Sequence, residues 1–168
     1  MYLIRTPDHL IMPPIHEIIG QALQYDAAQI LRGPRINAHN ATVEFILEHF
    51  NAGKSVVLHS INRFRPDIQQ FCDYLKSDNC NLYLTPPTGG TTEGLHTDPE
   101  SVLLFRLFGT KTYRVIRDGK ELTFDIDKGY GIFVRDGEKH EAVITGASGV
   151  LSFGIFNNVE LVPPDPRR

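Results

Sequence analysis

Residues 102–126 read VLLFRLFGTKTYRVIRDGKELTFDI. Three apolar runs, Val102 to Phe108, Lys111 to Arg117 and Glu121 to Ile126, are cut by Gly109-Thr110 and Asp118-Gly119. Short runs rich in β-branched and aromatic side chains, separated by two-residue turns containing Gly, are strand and hairpin signals. The pattern extends in both directions. Asn81 to Thr85 precedes it; Gly131 to Arg135, His140 to Thr145 and Val150 to Phe156 follow, separated by Asp136-Gly137 and the Gly146 to Gly149 segment. About seven short strands with explicit turns predict a β-sandwich or barrel.

The first half carries a different periodicity. Ile18, Ile19, Ala22, Leu23, Ala27 and Leu31 recur at helical spacing, predicting an amphipathic helix from His16 to Leu31 that stops at Gly33-Pro34. A second helix is expected from Asn40 as N-cap, through Val43, Phe45, Ile46, Leu47 and Phe50, to Gly53. Ser55 to Leu58 reads as a short strand. Pro66, then Ile68, Phe71, Cys72 and Leu75, opens a third helix ending near Ser77. The expected class is mainly β (α+β): one domain over 1–168, with a helical part over 1–79 outside a barrel over 80–158. The tail from Pro163 to Arg168 is expected to fray.

A chain of 168 residues can bury a core without disulfides or a structural metal. Its 41% hydrophobic and 22% charged residues are those of an ordinary globule. Seventeen basic against twenty acidic residues leave a net charge of -3, which offers no footprint for nucleic acid, and none is expected as a partner. No apolar run approaches the roughly 18 residues of a membrane helix, and no charged-then-apolar signal opens the chain, so no membrane is expected either. Cys72 and Cys80 form no CxxC pair. They read as ordinary buried thiols in a reducing, cytoplasmic compartment.

The chemistry concentrates around His96-Thr97-Asp98. Residues i and i+2 of an extended segment project from one face and can chelate one metal. In a chain with 7 His, chance alone supplies a bare His-x-Asp in roughly one case in two, and Asp98-Pro99 also reads as a turn cap. The pair gains weight from its place between a Gly/Thr-rich loop, Thr88 to Gly94, and an apolar strand, with His140 opening a later strand. Two imidazoles and one carboxylate leave coordination positions open, the facial set of non-haem Fe(II) oxygenases, where structural zinc would close its shell. His9, His16, His39, His49 and His59 show no comparable spacing.

These residues sit in a longer resemblance. Asn81-Leu-Tyr-Leu-Thr-Pro-Pro87, the glycine loop, His96-Thr-Asp98, Leu107-Phe-Gly-Thr-Lys111 and Lys128-Gly-Tyr-Gly-Ile-Phe-Val-Arg-Asp-Gly-Glu-Lys-His140 occur in that order. Over roughly residues 53–157 the chain resembles the cupin-like branch of the JmjC hydroxylases, most nearly the ribosomal oxygenases. The resemblance implies a double-stranded β-helix, the cupin or jelly-roll barrel, with helices packed outside. It implies Fe(II) on His96, Asp98 and His140 and 2-oxoglutarate as co-substrate. It also implies that Lys111 pairs with the distal carboxylate of 2-oxoglutarate, with Asn81 and Tyr83 in the same pocket. Tyr113 stands where relatives commonly have Trp, Arg106 stands in place of a common Gln, and the loop before His96 is one residue longer. In an unbulged strand Arg106 shares the inward parity of Val102 and Leu104 and is a second candidate for that carboxylate; a bulge would turn it outward.

The expected activity is dioxygenase chemistry with O2, hydroxylating an amino-acid side chain in a peptide or protein. A free amino-acid-like metabolite is the alternative substrate, and a non-oxidative cupin isomerase or lyase, or a ligand-binding cupin, is the alternative class. The relatives carry further C-terminal modules, so the stretch reads as a catalytic core; the oligomeric state is left open. Leu104 and Phe133 are expected to keep the pocket dry. Substrate is expected to enter over Thr88 to Gly94, with Arg35, Arg63 and Arg65 meeting an anionic group.

Overall fold

The computed structural model describes residue 10 and residues 12–31, 36–37, 40–88, 92–126, 131–143 and 146–155. Among the described residues the order is α1 (Ile15–Leu23), β1 (Ala28–Leu31), β2 (Ile36–Asn37), α2 (Val43–Asn51), β3 (Ser55–Leu58), a 3-10 turn (Ile61–Arg63) and α3 (Pro66–Leu75). Then follow β4 (Asn79–Thr85), β5 (Ser101–Gly109), β6 (Thr112–Arg117), β7 (Lys120–Asp125), β8 (Gly131–Val134), β9 (Lys139–Val143) and β10 (Ser148–Ile155).

The larger sheet runs β2-β1-β3-β4-β10-β5-β8 and the smaller β7-β6-β9. An antiparallel bridge from His96 to His140 adds another edge to the smaller sheet, beyond β9. From β4 onward the chain alternates between sheets: β4 in the larger, the His96 segment in the smaller, β5 in the larger, β6 and β7 in the smaller. It returns with β8 to the larger, β9 to the smaller and β10 to the larger. This alternation is the winding of a double-stranded β-helix.

Strand periodicity divides the apolar residues between two cores. Leu103 and Phe105 of β5, Leu82 and Leu84 of β4, and Leu151 and Phe153 of β10 face the helices. Val102 and Leu104, Tyr83 and Val150 face the barrel interior with Tyr113, Val115 and Ile132. Strand β10, interior to the larger sheet between β4 and β5, is buried at every position. The Phe71 ring of α3 meets Phe153 edge-on at 5.2 Å and Phe105 at 5.5 Å, fixing that helix on the sheet. None of the described helices is long and apolar enough to cross a membrane.

Two local expectations change. The helix expected through Leu31 ends at Leu23; Asp26 takes a left-handed φ of 50°, and Ala28 to Leu31 become β1, paired to β3. Ala27, Ala28 and Ile30 are buried, so their spacing served a strand as well as a helix. The 1–79 part therefore also contributes β1, β2 and β3 to the larger sheet. In α2 the cap is Thr42, whose Oγ1 accepts from the Phe45 N–H, while Asn40 lies at φ 58° ahead of it. Pro163 to Arg168 lie outside the described residues.

The turn between β5 and β6 positions Lys111, and it depends on Gly109. Gly109 has φ +75°, and a Cβ there would stand 1.7 Å from the Ala147 carbonyl oxygen. Gly109→Ala is expected to cost at least about 2 kcal/mol, because left-handed strain adds to a backbone overlap that no side-chain rotation relieves. Urea unfolding measures it; a variant within about 0.5 kcal/mol of the parent would contradict the assignment of this turn.

Candidate metal centre

His96 and His140 exchange both backbone hydrogen bonds, His96 N–H to the His140 carbonyl at 3.0 Å and the reverse at 2.8 Å. Directly opposed residues of a ladder project to the same side, so the rings lie with centroids 4.4 Å apart. Asp98, two residues beyond His96, joins them from the same face. Its Oδ1 is 3.9 Å from His96 Nε2 and its Oδ2 is 3.4 Å from His140 Nε2. The three donor atoms lie within 4.8 Å of one another.

The ring tautomers explain why these atoms converge. His96 Nδ1 is 2.7 Å from the Gly94 carbonyl and His140 Nδ1 is 3.1 Å from the Glu138 carbonyl. A carbonyl only accepts, so each Nδ1 donates, and in the neutral ring each Nε2 turns a lone pair toward Asp98. Lone pairs facing a carboxylate repel unless a proton or a metal cation lies between them. The donor set therefore fits a divalent metal, and the carbonyl contacts supply the ring orientation that metal-binding histidines need. Burial pulls the His140 pKa down, but hydrogen bonding to Asp98 and to the Glu138 carbonyl outweighs it and the net shift is upward. Glu138 is itself anchored by Arg117, whose Nη2 donates to Glu138 Oε2 at 2.7 Å.

The triad opens into a cavity of about 50 Å3, several times the roughly 10–15 Å3 that one water needs. Beyond the triad its wall includes Tyr83, Thr85, Glu93, Leu104, Lys111 and Tyr113. Lys111 is 5% exposed. Its ammonium donates to Thr85 Oγ1 at 2.9 Å and meets no carboxylate among the described residues. Desolvation lowers its pKa to about 8. An ammonium held out of water by one hydroxyl is an anion site in waiting. Tyr113 is buried, and desolvation holds its phenol far above its usual pKa, so it stays neutral.

The remaining candidates fall elsewhere. Asn81 shares a strand face with Tyr83 but does not line the cavity; its Oδ1 accepts from the Ser60 N–H at 3.0 Å. Arg106 pairs with Val150 across β5 and β10, which gives it the barrel-side face despite the irregularity next to Val150. It does not line the cavity, and its Nε is buried without a hydrogen-bond partner. Leu104 lines the cavity, whereas Phe133 packs on the helix side of the larger sheet. Arg65 is engaged with Asp67 through Nε at 2.9 Å, and the Arg63 guanidinium lies over the Tyr25 ring at 5.7 Å. Neither lines the cavity; Arg35, Gly89 and Gly90 lie outside the described residues. Thr85, Glu93 and Ser152 line the cavity and were not singled out by sequence reading. Thr85 and Ser152 follow Tyr83 and Val150 at i+2 on the barrel face, a strand parity that could have found them, whereas the position of Glu93 follows from the loop's path, which no local pattern encodes.

No protein-family model and no curated protein sequence matches the chain. Solved structures do. One is YcfD, a ribosomal oxygenase from Escherichia coli, in complex with cobalt and 2-oxoglutarate: TM-score 0.70 and 16% identity over 94% of this chain and 48% of that one. Another is YcfD with cobalt and succinic acid, at TM-score 0.69 and 14% identity over 90% of this chain and 46% of that one. The chain thus spans about half the length of the structures it matches. At these identities the likeness speaks for architecture: this chain is built on the double-stranded β-helix fold found in the ribosomal oxygenase YcfD.

Proposed function

We propose that this chain is an Fe(II)- and 2-oxoglutarate-dependent dioxygenase that hydroxylates an amino-acid side chain in a peptide or protein. The observation that carries the reading is the pairing, in one cavity, of a His-Asp-His donor set with a buried ammonium that meets no carboxylate among the described residues. An isomerase or lyase needs the metal but gives Lys111 no task. YcfD, which shares the fold, is described in complex with cobalt and either 2-oxoglutarate or succinic acid, diacids that differ as co-substrate and decarboxylated product would.

With Fe(II) and 2-oxoglutarate bound, the site supplies oxidative decarboxylation: O2 gives one oxygen atom to succinate, formed with CO2, and the other to a C–H bond of the substrate. The protein's own part is positioning. His96, Asp98 and His140 hold the metal, with both imidazoles oriented by carbonyls. Lys111 binds the distal carboxylate, and Thr85 aims its ammonium. Leu104 and Ala142 limit water, and Tyr113 offers a neutral hydroxyl. The free Cys72 and Cys80 accord with a cytoplasmic enzyme.

The test is succinate release from 2-oxoglutarate with Fe(II), O2 and, in parallel, peptides, ribosomal proteins and free amino acids, with product masses followed. Coupled gain of one oxygen by a peptide or protein is expected. Background succinate release from folded, iron-loaded protein with every class would sink the reading; hydroxylation of free amino acids alone would overturn only the substrate class.

A pH dependence follows from Lys111. Its pKa near 8 means that the cation binding the carboxylate is present below that pH and is lost as pH rises through it. The 2-oxoglutarate dissociation constant should therefore increase between pH 7.5 and 9.5, where the ligand's own charge is constant. Titrations at successive pH values check this. A flat profile, or one that persists in Lys111→Met, would remove Lys111 from co-substrate binding.

A further inference from the structure

The turn from Arg135 to Glu138 touches two of the three metal ligands. Its Gly137 N–H donates to the Asp98 backbone carbonyl at 3.3 Å, and its Glu138 carbonyl accepts from His140 Nδ1 at 3.1 Å. Arg117, the last residue of β6, grips this turn through the Glu138 side chain. It donates through Nε to Glu138 Oε1 and through Nη2 to Glu138 Oε2, the latter at 2.7 Å. We propose that Arg117 is a positioning residue for the metal centre, acting through Glu138 to hold the His140 ring and the Asp98 backbone in the arrangement that binds the ion. This rests on the reading of the triad as a metal site.

The placement of Arg117 follows from strand parity. Tyr113 and Val115 face the barrel interior, so Arg117 takes the same face at the hairpin end of β6. From there its Nη2 also donates to the Phe133 carbonyl of β8 at 3.3 Å, which links the smaller sheet to an edge strand of the larger. Two nitrogens of a planar guanidinium meeting two carboxylate oxygens fix orientation as well as distance. The turn closes on the same carboxylate: Arg135 N–H donates to Glu138 Oε2 at 2.9 Å, while Glu138 N–H donates to the Arg135 carbonyl at 3.1 Å. The Arg117 and Glu138 side chains are 20% and 11% exposed, so removing one leaves the other largely out of water and short of its partner.

A neighbouring pair supplies the contrast. Arg114, on the opposite face of β6, pairs through Nη2 with Glu141 Oε1 at 2.6 Å and through Nη1 with Glu121 Oε2 at 3.2 Å. Glu141 follows His140 in sequence but makes none of the hydrogen bonds that orient the triad. The two arginines share a strand, a charge and a glutamate close to His140. They differ in whether that glutamate orients a metal ligand.

The test is Co(II) affinity by calorimetry and the visible spectrum of the bound ion, on the full chain, with circular dichroism and urea unfolding alongside. Arg117→Met is expected to bind Co(II) about tenfold more weakly or worse, the range for partners that orient a ligand, and to shift the Co(II) bands. Arg117→Lys keeps the charge without the fork and should fall between the parent and Arg117→Met. Glu138→Gln should also weaken Co(II) binding. The double variant should lose no more than the larger single loss, because the two side chains act as one contact. Arg114→Met should stay within about twofold of the parent. A purely structural clamp would lower the urea midpoint yet leave Co(II) affinity and spectrum unchanged in the folded protein. That result in Arg117→Met, or in Arg117→Lys should the methionine variant not fold, would overturn the proposal, as would additive losses in the double variant. A parent whose Co(II) affinity is indifferent to Asp98→Ala marks a different failure, that of the metal reading, and takes this proposal with it.

Discussion

Asp98→Ala is expected to lower Fe(II) and Co(II) affinity by more than about 100-fold and to abolish 2-oxoglutarate turnover, with the fold intact. The size of the effect follows from charge and position. Asp98 is the anion of the triad and reaches both imidazoles, at 3.9 Å and 3.4 Å. Loss of partners that merely orient a ligand already costs roughly 10–100-fold, and Asp98 is placed as a ligand itself. It is only half-buried, so its removal leaves no core cavity. Its backbone carbonyl, which accepts from Gly137 N–H at 3.3 Å, is retained in the variant. His140→Ala should match the loss of metal but also unfold more easily, because His140 is 4% exposed and its side chain packs in the barrel. Calorimetric metal titration with circular dichroism as the folding control separates the two. Stoichiometric metal binding by Asp98→Ala would place the metal elsewhere.

Lys111→Met should raise the 2-oxoglutarate dissociation constant by about ten- to a hundredfold, the range set by losing a charge-assisted contact of roughly 1.5–3 kcal/mol. Metal affinity without co-substrate should stay within about twofold, since Lys111 is not placed as a ligand. The stability of the ligand-free protein carries the opposite sign. Burial holds the Lys111 pKa near 8, so the folded state binds its proton less tightly than the unfolded state does. Carrying the charge therefore costs stability below pH 8, and the cost is relieved as pH rises toward the unfolded value. A methionine of similar length avoids that cost, so the ligand-free variant should melt no lower than the parent while losing stabilisation by 2-oxoglutarate. Arg106→Ala is the control. Its guanidinium stem faces the barrel but does not line the cavity, and co-substrate affinity should remain within about threefold. If Arg106→Ala abolishes binding and Lys111→Met does not, the two cations exchange roles.

The barrel was legible because its turns are local chemistry. Asp118-Gly119 has both residues at positive φ, 50° and 73°, and joins β6 to β7 with Lys120 opposite Arg117. The His96 and Asp98 pair was legible as an i, i+2 projection, but its alignment with His140 depends on a bridge across 44 residues. Only the order of motifs along the chain hinted at that bridge. Of the helix expected from His16 to Leu31, the part beyond Leu23 misled for a physical reason: Ala27 and Leu31 continue the helical spacing of α1, while the break is set by Asp26, whose left-handed φ of 50° no apolar pattern announces. Asn81 shows the same limit at the site. Its strand face was readable from Tyr83, but its bond to the Ser60 N–H comes from a turn distant in sequence. Glu93 was passed over because an acid three residues before a histidine, inside a glycine-rich loop, has no periodicity to mark it.

Metal and 2-oxoglutarate are expected to bind together at His96, Asp98 and His140, and anaerobic titration of the Fe(II)-loaded chain with 2-oxoglutarate measures this. A weak visible charge-transfer band should grow with 2-oxoglutarate to one equivalent per chain, disappear in Asp98→Ala, and require more co-substrate in Lys111→Met. A folded, iron-loaded protein that shows no such band at saturating 2-oxoglutarate would contradict the account.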